Sequence, residues 1–198
     1  MDRDRFPLLG AYLAALPQGL ASYPACQVKG SVFRSLVASA PIALDQSGLP
    51  DELVARLREP PLPSEWSSEV QLNALGLAFQ DQVEPGRYEA WVYERNRRLL
   101  RAPLYKILFA VLSPERIFIG LPQRWGAFRR GTELTLLERV GSRARLRLGY
   151  PRHMHNETTL ANVVIAFRAA ADAAGALDVT ARVARYDPFE ATLEVEWR

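Results

Sequence analysis

The 198-residue sequence predicts an α+β fold: a helical N-terminal two-thirds followed by a ββαββ unit forming a four-stranded antiparallel sheet. Three observations carry this. Up to Gly131 apolar residues recur mostly at helical spacing. After Gly131 the period changes to two: "TELTLLERVG" alternates, and in "SRARLRLGY" Ala144, Leu146 and Leu148 oppose Arg143, Arg145 and Arg147. Beyond an intervening helix, "LDVTARVARYDP" and "EATLEVEWR" alternate again. The chain is read as a single domain, 1–198, with a helical layer over 1–131 and the sheet unit over 132–198.

The elements follow in order. "PLLGAYLAAL" reads as a short amphipathic helix. "CQVKGSVFRSLVASA" has strand-favouring β-branched residues, but the spacing of Val28, Val32, Leu36 and Val37 favours helix, which is the reading adopted. "LPDELVARLRE" is a helix ended by Pro60 and Pro61. "PSEWSSEVQLNALGLAFQDQV" starts a helix with Ser64 as N-cap. "GRYEAWVYERNRRLLRAPLYKILFAVLS" is one long helix bent at Pro103, or two helices. "SPERIFIGLPQRWGAFRRG" opens with Ser113 as cap, Pro114 in the first turn and Glu115 at the positive helix end, and Gly131 is its expected C-cap. "VGSR" is a hairpin turn, and "TTLANVVIAFRAAADAAGA" is a helix capped near Asn156 to Thr159 and ended by Gly175.

Composition narrows the function classes. A hydrophobic content of 48% supports one substantial core, and no run of about 18 apolar residues exists to span a membrane. The N-terminus carries arginines before an apolar stretch, as a signal peptide does. Asp2 and Asp4 offset that charge and Pro7 and Pro17 interrupt the stretch, so secretion is not expected. Cys26 is the only cysteine, which excludes an intrachain disulfide and fits a cytoplasmic protein. Lys29 and Lys106 are the only lysines among 25 basic residues, a bias that fits a GC-rich genome. The net charge of +3 is mild, no DNA-binding motif is present, and nucleic acid is not an expected partner.

Several segments carry a resemblance. "YKILFAVLSPERIFIGLPQRWGAFRRG", the hairpin after it, "AAADAAGA" and "VARYDPFEATLEVEWR" resemble a family of myxobacterial paralogues whose function is unassigned. The matching positions are Gly30 and Phe33, "PSEW" at Pro63 to Trp66, Pro114 and Arg116, and the closing Val195, Glu196 and Trp197. The likeness spans about residues 28–198, and its motifs concern packing. More distantly, helices followed by ββαββ are similar to the layout of haem-nitric-oxide-binding domains, vinyl-reductase-like domains and transport-particle subunits. That resemblance implies a pocket for haem, phenols or acyl chains, and a tendency to dimerise.

The candidate residues are these. His153 and His155, the only histidines, are the candidate metal ligands, with Glu157 as a third if the segment is extended. Haem is not expected, because no histidine precedes residue 153 and "YPR" at Tyr150 to Arg152 does not complete the Tyr-x-Ser-x-Arg pattern of the haem-binding relatives. The blander reading of "GYPRHMHNET" is a polar connection between strand and helix. Arg95, Arg97, Arg98, Arg101 and Lys106, then Arg124, Arg129 and Arg130, interleave with Tyr88, Trp91, Tyr93, Tyr105, Trp125 and Phe128. That mixture suits an anionic or ring-shaped ligand, although charge runs on helices are usually solvent faces. No phosphate loop, nucleophile elbow or zinc-protease motif occurs, so no enzyme is expected. The sequence therefore predicts a non-enzymatic regulatory or sensory module without an expected cofactor. Its small apolar or anionic ligand would lie between helices and sheet, contacted by Trp91, Arg98, Arg101, Tyr105 and Trp125. The alternative is a protein-interaction adaptor or homodimerisation module with no small ligand, partnered by another protein or by itself.

Overall fold

The computed structural model describes residues 1–102 and 113–198. Helix α1 (Pro7–Ala15) begins at a proline, which needs no N–H partner there. The free N–H groups of Leu8 and Leu9 donate to the Asp81 carboxylate at 3.0 and 3.1 Å, which fastens the start of α1 to the end of α4 (Glu69–Gln80). Phe6, Leu9 and Tyr12 are buried, and the Tyr12 hydroxyl donates to the Met154 carbonyl at 2.9 Å, tying the helical layer to the sheet unit.

The helical layer also contains a small antiparallel sheet, ordered β2-β1-β3, that the sequence does not announce. Its strands are β1 (Gln27–Lys29), β2 (Trp66–Ser68) and β3 (Arg129–Arg130). Three expected boundaries move because of it. The helix expected from Cys26 starts at Gly30 (α2, Gly30–Ala38), since Gln27 to Lys29 pair with Trp66 to Ser68. The N-cap of α4 is Ser68, whose hydroxyl accepts from the Gln71 N–H, and Ser64 lies ahead of the strand. The helix expected to run to Gly131 ends at Trp125 (α6, Pro114–Trp125), since Arg129 and Arg130 pair with Val28 and Gln27. Gly131 then adopts φ +75 in the turn into the main sheet.

Helices α3 (Asp51–Arg58) and α5 (Pro85–Arg101) follow the expected pattern. The expected bend at Pro103 lies outside the described residues. The C-terminal unit is β4 (Glu133–Val140), β5 (Arg143–Gly149), α7 (Glu157–Ala173), β6 (Thr180–Tyr186) and β7 (Glu190–Glu196). The strands form one antiparallel sheet ordered β4-β5-β7-β6. Asn156 caps α7 by accepting from the Thr159 N–H, and Thr159 returns the bond to the Asn156 N–H. Its apolar face, Leu160, Val163, Val164 and Phe167, covers the side of the sheet that carries Ala144, Leu146, Leu148 and Leu193. Helix α6 lies against β4, and its Phe118 stacks on Trp197 at 5.0 Å between centroids. No described helix is long and apolar enough to cross a membrane.

Candidate functional site

The site forms where the small sheet, α4 and the start of α7 meet. Ser68 ends β2 and caps α4, which places Glu69 in the first turn with its carboxylate inside the protein and fully buried. Strand β3 brings Arg129 to the same point, and its guanidinium pairs with Glu69. Arg129 also lies over the Trp125 ring, 5.1 Å from its centroid. Burial lowers the Arg129 pKa to about 10.

The third member is His155, which is buried beside Tyr150, with the rings edge to face at 4.8 Å. Its Nδ1 is 3.2 Å from the Thr159 hydroxyl, which itself donates to the Asn156 carbonyl at 3.1 Å. With that proton committed, Nδ1–H donates to Thr159 and Nε2 is the bare acceptor. The hydrogen-bond network assigns this tautomer. Nε2 has no hydrogen-bond partner and stands 3.8 Å from a Glu69 carboxylate oxygen. Desolvation, then the nearby Arg129 charge, push the His155 pKa down to about 3, so the imidazole is neutral at physiological pH.

Arg129 also forms part of the wall of an apolar cavity of about 110 Å³ between α5, α6 and α7. Leu99, Leu100, Leu121, Trp125, Ala166 and Phe167 are among the other residues that line it. Arg129 thus belongs both to the cavity wall and to the buried charge cluster.

The expected ligand-binding residues do not converge as a group. Trp125 lines the cavity. Trp91 packs elsewhere, against Phe79 and Tyr88, with its indole N–H bonded to the Ser39 carbonyl. Arg98 and Arg101 are exposed near the C-terminal end of α5. Tyr105 lies outside the described residues. The histidines part company too. His153 sits in a turn at φ +59 with its N–H on the Pro188 carbonyl, while His155 points inward. Because the segment turns, with the Met154 N–H bonded to the Pro151 carbonyl, His153, His155 and Glu157 do not line one face as an extended strand would place them. Among the described residues no group of three His, Cys, Asp or Glu side chains is placed to hold a metal. Sequence reasoning missed Glu69. The only available hint was a carboxylate directly after a capping serine, which on most helices faces solvent.

Comparison with known proteins adds the fold's relatives. Neither a family model nor a curated protein matches the chain, so the resemblance to the myxobacterial paralogues finds no support there. Solved H-NOX domains share its fold. An oxygen-binding H-NOX domain related to soluble guanylate cyclases, in its oxygen complex, matches with TM-score 0.53 at 10% identity over 85% of this chain and 92% of that one. A single-substitution variant of the T. tengcongensis H-NOX matches with TM-score 0.54 at 8% identity over 98% and 97%. The Fe(II) unliganded H-NOX protein of K. algicida matches with TM-score 0.51 at 10% identity over 86% and 96%. Of the layouts the sequence resembles, the H-NOX one is therefore found, and the vinyl-reductase-like one is not the fold described.

This corrects the expectation about cofactors. The sequence argued against haem on the position of its histidines. The fold is that of haem proteins, including ones studied for protein-induced porphyrin distortion, and it makes haem the cofactor class to consider. The described residues fit such a group in part. The cavity offers apolar, aromatic contact and one cation in Arg129. Its described wall contains no histidine, cysteine, methionine or tyrosine to serve as an axial ligand. The buried imidazole of His155 is not part of that wall, although it feels the charge of Arg129, which is.

Proposed function

We propose that this chain is a non-enzymatic, cytoplasmic sensory module that takes a flat apolar ligand of haem's class between α5, α6 and α7. The apolar cavity with Arg129 in its wall carries this reading. The shared fold with haem-binding domains supports the ligand class. The single cysteine, Cys26, buried and with its thiol pKa raised by desolvation, suits a reducing compartment.

In this reading Trp125 and Phe167 hold the ring system. Arg98 and Arg101, exposed near the end of α5, meet acidic groups of the ligand at the surface. At about 110 Å³ the cavity is smaller than the roughly 300–1,000 Å³ of ordinary ligand pockets, so the ligand displaces side chains as it inserts. Arg129 is the natural transmitter. A ligand that moves its guanidinium leaves the Glu69 carboxylate uncompensated and changes the field at His155, at the start of α7.

Titration of the purified full chain with hemin tests this. The expected result is saturable, one-to-one binding with a shifted Soret band, abolished by Ala166→Phe, which puts a large side chain into the cavity that Ala166 lines. A folded protein that shows only non-saturating hemin association, unchanged by that substitution, would overturn the reading.

A further inference from the structure

The outer face of the four-stranded sheet, opposite α7, is covered by no described helix and carries an ordered charge pattern. The register fixes its rows: Val140–Arg143–Glu196–Thr180, then Glu138–Arg145–Glu194–Arg182, then Thr135–Arg147–Thr192–Arg185, in the order β4, β5, β7, β6. Glu133 and Glu190 continue the acidic strands past the third row. Strand by strand, the face therefore reads negative, positive, negative, positive.

We propose that this face docks a second copy of the same chain. A two-fold axis running parallel to the strands between β5 and β7 places β5 of one copy over β7 of the other and β4 over β6. Every stripe then meets one of opposite sign: Arg143 faces the second copy's Glu196, Arg145 its Glu194, and Glu138 its Arg182. An axis perpendicular to the strands would lay like charge on like, so the stripes select one orientation.

Within one chain most of these charges already pair, Glu138 with Arg145 at 3.4 Å and Glu190 with Arg185 at 3.8 Å among them. Glu194 is crowded by Arg143 at 3.2 Å, Arg145 at 3.4 Å and Arg182. Arg143 also reaches Glu196, at 3.2 Å. Among the described residues Arg147 has no carboxylate partner at all. The second copy brings Glu194 and Glu190 diagonally over it. Val140, 65% exposed at the end of the face, adds an apolar contact. Glu194 and Thr192 are buried, but most of the other groups stay half-exposed, so the association rests on charge and is screened by salt.

Sedimentation equilibrium of the full chain tests this at about 50 mM and about 0.5 M NaCl, where the screening length falls several-fold. The expected result is a dimer at low salt whose dissociation constant rises at least about tenfold at high salt. Arg147→Glu, which breaks no ion pair within the chain, is expected to leave a folded monomer, checked by circular dichroism. A wild-type protein that is monomeric at low salt overturns the proposal, as does a dimer indifferent to Arg147→Glu.

Discussion

Arg129 and Glu69 form an ion pair inside the protein, where β3 of the small sheet meets the first turn of α4. The carboxylate is fully buried and the guanidinium nearly so. Taking both groups out of water is costly, and each is tolerable only because the other is present. Glu69→Leu alone is therefore expected to destabilise the protein by about 3–5 kcal/mol in urea denaturation. The double variant Glu69→Leu with Arg129→Met is expected to recover most of that loss. A double variant as unstable as the single one would show that the pair does more than neutralise itself.

Stability should fall as the solution is acidified, through His155. The unfolded imidazole titrates near 6.5, and the folded one only at about 3. Between those values the unfolded chain binds a proton that the folded chain does not, so stability rises with pH. The contribution is complete above about 6.5 and is lost progressively as pH falls towards 3. The slope is at most about 1.4 kcal/mol per pH unit. Denaturant melts at pH 7 and pH 5 should show the drop in the wild type and a smaller drop in His155→Phe.

Leu121 is buried and lines the apolar cavity. Leu121→Ala is expected to cost about 2–5 kcal/mol of stability, because the surroundings only partly close over the lost atoms. The same change should tighten hemin binding by enlarging a space that is too small for it. Stability and affinity thus move in opposite directions, and an equal loss of both would place the ligand elsewhere.

Gly30 begins α2 directly against the loop before β2. A Cβ at this position would lie 2.0 Å from the Leu62 carbonyl oxygen, a backbone atom. Gly30→Ala is expected to destabilise by about 2 kcal/mol, read as a lowered urea midpoint with an unchanged slope. A neutral result would mean that the 62–65 loop gives way at little cost.

Much of the fold was legible. The alternation of Arg143, Arg145 and Arg147 against Ala144, Leu146 and Leu148 predicted both the strand and its buried face, because a half-buried strand has a period of two. The proline and glycine signals at Pro7, Pro60 and Gly175 marked real boundaries. The boundaries that moved, at Gly30, Ser68 and Trp125, all belong to strands of two or three residues. Such strands are too short to show a period, and they exist only because residues about 40 to 100 positions apart pair with one another.

The site was less legible. The arginine-and-aromatic run led to Trp125 and the cavity, but it also drew attention to Trp91, which is packed against Phe79 and Tyr88. The two histidines look equivalent in sequence, yet one turn at φ +59 turns His153 aside and leaves His155 inside.

The sequence by itself determined the α+β class, the ββαββ order and the faces of the strands, since local periodicity reports which side of an element is buried. Only the tertiary structure decided that Glu69, Arg129 and His155 meet, that Arg129 also borders a cavity, and that the sheet's outer charges fall into alternating stripes. Those are relationships between distant parts of the chain. They depend on strand register and on the pairing of three short segments, which no local pattern of residues encodes.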